Sequence, residues 1–248
     1  MLILTRSINE QDRKYDLLDQ FFNLGSNDKV EPRIFEMFIE ETESFCRTYG
    51  YDEQITNLGT LAQIMLIDGR DGGADLILKF ATPVCHRLLF GGLEDYYDVR
   101  LAATFMPYLK FFEDAQDLAV MALDKLEEYS NDSSYERIKW VISINMISNL
   151  VLGVYSEVFA QPSNSLPGYD PDLIFSQHFS IAMDLCEKYE YLSWKAVCLI
   201  RKGCYFKNSK LVLDNLAWLK KYDVNMFEFM LEELGACGID PERLEEEA

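Results

Sequence analysis

DSSYERIKWVISINMISNLVLGVY, from Asp132 to Tyr155, holds the longest apolar run of the chain. Ser133-Ser134-Tyr135-Glu136 fits a capping box: a hydroxyl at a helix start accepts from a backbone N–H, and the glutamate three residues on reaches back to the cap. Ile138, Val141, Ile142, Met146, Leu150 and Val154 then recur at steps of three and four, so they share one helical face. Ile144, Ile147 and Val151 widen that face beyond a stripe. A helix apolar round most of its circumference belongs in the middle of a domain. Asn145 and Asn149, one turn apart, are the exceptions. They either satisfy neighbouring backbone or, offering donor and acceptor together, hold the main chain of a bound peptide.

Beyond this helix the segment Gln161–Pro171, with three prolines plus Ser, Asn and Gly, reads as the one real loop. Asp170-Pro171 then restarts a helix as cap and first turn. Shorter helices follow over Ser193–Phe206, Ser209–Tyr222 and Phe227–Leu234. Towards the N-terminus, Leu2-Ile3-Leu4 could be a strand or a plug, and Ser7-Ile8-Asn9-Glu10 is a second capping box with Gly25 at the far helix end. Pro32 opens the next helix and Gly50 ends it. Pro83 predicts a kink or break within Leu76–Phe90, and Pro107 disturbs Tyr96–Phe112. With about ten or eleven helices, short joins and no strand alternation, the expected fold is all-α. Its expected form is a stack of antiparallel helical hairpins, a degenerate helical-repeat solenoid of the tetratricopeptide or HEAT kind. The residues 1–248 then form a single domain, the 161–171 loop offering a division into helical layers 1–160 and 171–248.

Half the residues are apolar and the formal net charge is −19, which describes a globular protein and not an acidic disordered one. Such a charge opposes nucleic-acid binding, where phosphate contacts dominate, and attracts basic partners. No apolar run reaches the roughly 18 residues of a bilayer span. The six cysteines form no C-x-x-C pair and no secretory signal precedes them, so they read as thiols of a reducing, cytoplasmic compartment.

Only two histidines are present, His86 and His178, so zinc and di-iron helix motifs fail by inventory. No Gly-x-Ser-x-Gly elbow and no phosphate-cradling glycine loop occurs. The loop Asp68-Gly69-Arg70-Asp71-Gly72-Gly73 places Arg70, Gly72 and Lys79 where calcium ligands belong, and it reads as a turn. No metal or cofactor is expected.

Two charged groups remain as candidate sites. Glu94, Asp95 and Asp98 surround Tyr96 and Tyr97 at a helix start after Gly91-Gly92. They either complement the helix dipole or capture a cationic peptide or amine. From Lys195 to Lys221, seven cations including Lys195, Arg201 and Lys202 oppose Asp214 alone, and from Glu228 onward acids oppose Arg243 alone. This is either a set of solvated faces near an acidic tail or a basic docking strip for an acidic partner.

Residues Leu93 to Leu150, through Glu94-Asp95-Tyr96-Tyr97, Pro107-Tyr108-Leu109 and Ile144-Asn145, resemble the helical-repeat, peptide-sensing half of Rgg-type and PlcR-type bacterial regulators. The resemblance implies a peptide-sensing regulatory domain; the helix-turn-helix module of those regulators has no counterpart here. From the residues themselves the expected function is a non-enzymatic module that binds a protein or peptide on a concave helical surface. One form of it is an acidic inhibitor, of immunity or anti-defence type, covering a basic enzyme. A carboxylate- and metal-dependent helical-bundle enzyme is the rival.

Overall fold

The computed structural model describes residues 2–24, 31–67, 73–109, 111–155 and 169–240. Eleven α-helices lie among them: α1 (Leu2–Leu24), α2 (Pro32–Tyr49), α3 (Glu53–Ile67), α4 (Gly73–Gly91), α5 (Tyr96–Phe105), α6 (Phe112–Leu126), α7 (Tyr135–Tyr155), α8 (Pro171–Lys188), α9 (Leu192–Tyr205), α10 (Ser209–Tyr222) and α11 (Val224–Ala236). No β-strand occurs among the described residues, so the protein is all-α. The chain divides into two compact units, Met1–Tyr108 and Leu109–Ala248. The expected helix end at Gly25, most of the 68–73 turn, the bulk of the 161–171 loop and the acidic stretch from Glu242 lie outside the described residues.

In the first unit α3 is the middle helix, packing against α1, α2, α4 and α5. Ile55, Leu58, Leu61 and Ile64 are buried on it, facing Leu17 and Leu18 of α1, Phe38 and Phe45 of α2 and Leu88 of α4 as members of one core. Gly59 lets α2 approach closely: a Cβ there would sit 2.6 Å from the Thr42 hydroxyl oxygen. The Asp52 carboxylate caps α3 by accepting from the Ile55 N–H at 3.0 Å. Pro32 occupies the first turn of α2 and Gly50, at φ 105°, ends it, both as the sequence indicated.

Two local expectations fail in this unit, and no helix break occurs at Pro83. Helix α1 already runs from Leu2, so Ser7 starts nothing and Leu2–Leu4 is not a strand. Helix α4 continues through Pro83 to Gly91, because Pro83 lies exposed on its outer side, where the helix can accommodate the ring by local adjustment. Pro107 does act as expected. It sits in a single 3-10 turn, Met106–Tyr108, that closes α5.

The second unit is built on α7, which packs against α6, α8 and α9. Its length and a mean hydropathy of 1.4 would suit a membrane span, contrary to the expectation from its interrupting Ser and Asn residues. Here those apolar side chains are used within the fold: Ile138, Ile142, Ile144, Met146, Ile147, Leu150 and Val151 are all buried. Val154, assigned to the same face, is exposed at the helix end. The capping box is not made. Helix α7 begins at Tyr135, and the Glu136 carboxylate turns instead to Lys188 and Tyr189. Asp170 caps α8 through the N–H groups of Asp172 and Leu173, with Pro171 in the first turn. Helices α9 and α10 form a tight hairpin at Gly203, where a Cβ would meet Val212 Cγ2 at 2.6 Å. Helix α11 packs on α10 and buries Met230 and Leu234.

Candidate functional site

The acidic-aromatic group of the first unit is knitted into its own helix start. Asp95 caps α5 by accepting from the N–H groups of Tyr97 and Asp98, at 2.9 and 3.1 Å. Asp98 is buried and accepts from the Glu94 N–H at 3.0 Å, while its other oxygen lies 3.6 Å from Arg87 Nη1. Gln54 donates to both carboxylates from α3. Tyr97 stacks on Tyr15 and donates its hydroxyl to Asp19; burial, then that bond, pushes its pKa well above the usual phenol range. Arg100 lies over the Phe22 ring at 4.3 Å and nearer the edge of reach over Tyr96. These are capping and inter-helix contacts. Glu94 is exposed beside the half-buried Tyr96.

The amides of α7 separate. Asn149 is fully buried, which removes it from a surface-bound peptide, whereas Asn145 is partly exposed. The basic strip also loses a member. Arg201 is buried and grips Glu233 of α11 in a two-point ion pair, Nε to Oε1 at 2.8 Å and Nη2 to Oε2 at 2.6 Å, with Nη1 reaching the Ile144 carbonyl at 3.4 Å. Lys195 pairs with Glu187 at 2.7 Å, and Lys202 lies over the Phe179 ring at 4.6 Å.

The two histidines divide as well. His86 is exposed on α4 beside Phe90. His178 is buried between Gln116 Oε1, 3.2 Å from Nε2, and Ser143 Oγ, 3.5 Å from Nδ1. Burial pushes it down to about 4, so the imidazole is neutral at physiological pH.

A further feature of the second unit is a chain of five rings. Tyr189 stacks on Tyr191 at 5.6 Å; Tyr191 meets Trp140 at 5.9 Å; Trp140 meets Trp194 edge-on at 4.9 Å; Trp194 meets Phe229 at 6.3 Å. They come from α7, the α8–α9 turn, α9 and α11. The turn is held by Glu190 in the left-handed region, φ 56°, which throws Tyr189 and Tyr191 outward. Tyr189 is 44% exposed, Tyr191 43%, Phe229 42% and the adjoining Leu192 59%. Beneath them the Trp140 indole N–H points at Cys186 Sγ, 3.4 Å away. Bonds from Cys198 and that indole push the Cys186 thiol below the usual thiol range, but both thiols are buried and the surface presented is aromatic.

Sequence reasoning missed this surface. The run Tyr189-Glu190-Tyr191-Leu192-Ser193-Trp194 is its visible signal, three rings within six residues between two helices. Chemically the surface offers flat apolar area with hydroxyl and indole edges, rimmed by the Lys188–Glu136 and Lys195–Glu187 pairs. It suits recognition of a polypeptide more than bond-making. No known protein family, no curated protein and no solved structure matches the chain.

Proposed function

We propose that this chain is a non-enzymatic protein-binding module, and that the five-ring surface of its second unit is the docking site for a protein or peptide segment. The observation that carries the reading is the half-exposed Tyr189, Tyr191 and Phe229 with Leu192, apolar side chains gathered at one place and left open to solvent. Rigid aromatic side chains supply contact area at little entropic cost and dominate the energetics of interfaces. A stack of degenerate helical hairpins is the scaffold for it. Helices adjacent in sequence pack together from α6 to α11, and α7 also reaches α9. The net charge of −19 favours a partner with a basic surface, as an acidic inhibitor of a basic enzyme would have. The rival enzyme requires inward carboxylates free to hold a metal. Buried Asp98 lies 3.6 Å from Arg87 Nη1, and the partly exposed Glu233 is held by Arg201. Six cysteines in the thiol form fit a reducing compartment.

The test is affinity capture from the cells that express the protein, comparing the native chain with Tyr191→Ser/Leu192→Ser. Both positions are exposed, so the fold tolerates the change. A protein retained in stoichiometric amount by the native chain should be lost or weakened at least about tenfold in the variant. Equal retention of every captured protein by both overturns the assignment of the surface.

A further inference from the structure

A second surface of the same unit carries charge in place of rings. With Arg201 buried and Lys195 and Lys202 engaged, the cations left on the α9–α10 hairpin are Lys207 and Lys210 at its turn and Lys220 and Lys221 at the far end of α10. All four are exposed, and none forms an ion pair with a described carboxylate. Lys220 and Lys221 rest only against the rings of Phe227 and Tyr222. On a chain of net charge −19, where carboxylates outnumber cations and take up most of the other described ones, four such lysines on one hairpin are a local concentration of positive charge.

The two lysine pairs have a defined spacing. Lys210 and Lys221 are eleven residues apart on one face of α10, which at about 1.5 Å per residue separates them by about 16 Å. Between them lie Asp214 and the exposed Ala217, a low and weakly charged saddle. Beyond Lys221, Tyr222 and Val224 are more than half exposed. The geometry points to a binding surface for an acidic, amphipathic helical segment of a partner protein, its carboxylates placed about three turns apart and its apolar side chains set toward Tyr222 and Val224. Charge complementarity selects this occupant over nucleic acid. A polyanion charged at every step would set phosphates against Asp214 between the lysines, whereas a peptide places charge only where lysines wait. The inference does not rest on the five-ring surface.

The test is fluorescence anisotropy with a labelled helix-forming peptide of about fourteen residues that carries glutamate pairs eleven residues apart and leucines on one side. Its controls are the same peptide with Gln for Glu and a single-stranded DNA of equal length. Titrations use the full chain and a variant with Glu242, Glu245, Glu246 and Glu247 changed to Gln, so that the chain's own terminal acids cannot compete unnoticed. The acidic peptide should bind one or both at low salt. Its affinity should fall at least about tenfold with Gln for Glu, and again in Lys207→Gln/Lys210→Gln/Lys220→Gln/Lys221→Gln, with circular dichroism unchanged. No binding to either chain, indifference to the four lysine changes, or tighter binding of the DNA overturns the proposal. Retention of the peptide by Tyr191→Ser/Leu192→Ser separates this surface from the aromatic one.

Discussion

Acidification should weaken the second unit through a single imidazole. His178 is buried, its ring nitrogens face only the neutral side chains of Gln116 and Ser143, and burial pushes it from 6.5 down to about 4. The folded-state value is the lower one, so as pH falls the unfolded chain takes up the proton first. Stability from this residue is therefore complete above the unfolded value and is lost as pH drops from about 6.5 toward 4. At about 1.4 kcal/mol per unit, the loss is about 2 kcal/mol at pH 5 and about 3 kcal/mol at pH 4. The three tryptophans, Trp140, Trp194 and Trp218, all belong to the second unit, so intrinsic fluorescence during urea unfolding follows that unit alone. The comparison is His178→Gln, which keeps a hydrogen-bonding amide in the site and cannot charge. Between about pH 7.5 and pH 5 the native chain should lose about 2 kcal/mol more than the variant, because the carboxylates titrate alike in both and cancel. An equal loss in the two proteins would refute the desolvated, neutral imidazole.

Two further predictions address packing. Arg201→Met leaves the largely enclosed Glu233 carboxylate without its guanidinium and should destabilise the second unit by about 2 to 4 kcal/mol, while Arg201→Met combined with Glu233→Leu should recover most of that, both read by tryptophan fluorescence in urea. In the first unit Gly59→Ala drives a methyl to within 2.6 Å of the Thr42 oxygen and should cost about 1 to 3 kcal/mol by calorimetry; adding Thr42→Ala should relieve it, and no relief would show that the α2–α3 approach is not set at that pair.

The fold class was legible because it depends on repeated local signals. Apolar residues at three- and four-residue steps over Ile138–Val151 place α7 in the interior wherever its neighbours lie, and Asp170-Pro171 starts α8 by chemistry confined to a few residues. Signals with a tertiary competitor misled. Glu136 had the right spacing for a capping box, but Lys188 and Tyr189 offer it a closer ionic and hydroxyl partner. Arg201 looked like one of a row of cations until α11 brought Glu233 beneath it, and nothing near Arg201 in sequence announces that pairing. The five-ring surface was legible only in its middle. Trp140 and Phe229 arrive from α7 and α11, and only the packing of those helices on α9 joins them to Trp194.

The same comparison explains why charge is a poor guide to the principal surface of this chain. Its conspicuous carboxylates and cations are largely spent on each other: Asp95 and Asp98 on a helix start, Glu233 on Arg201, Glu136 on Lys188. The exposed pair among them, Glu136–Lys188, is screened by solvent and shifts little when a partner arrives. Aromatic area has no such internal outlet once it is left outside the core. Covering Tyr189, Tyr191, Leu192 and Phe229 removes apolar surface from water at about 25 cal/mol per Å², without breaking any ion pair to do so. For the proposed docking surface, the net charge would govern how fast a partner approaches, and the rings how long it stays. The four lysines of the α9–α10 hairpin that pair with no described carboxylate stand apart from both roles. They form a short positive strip on a negative protein, and only a partner segment carrying its own carboxylates at matching spacing gains from that arrangement.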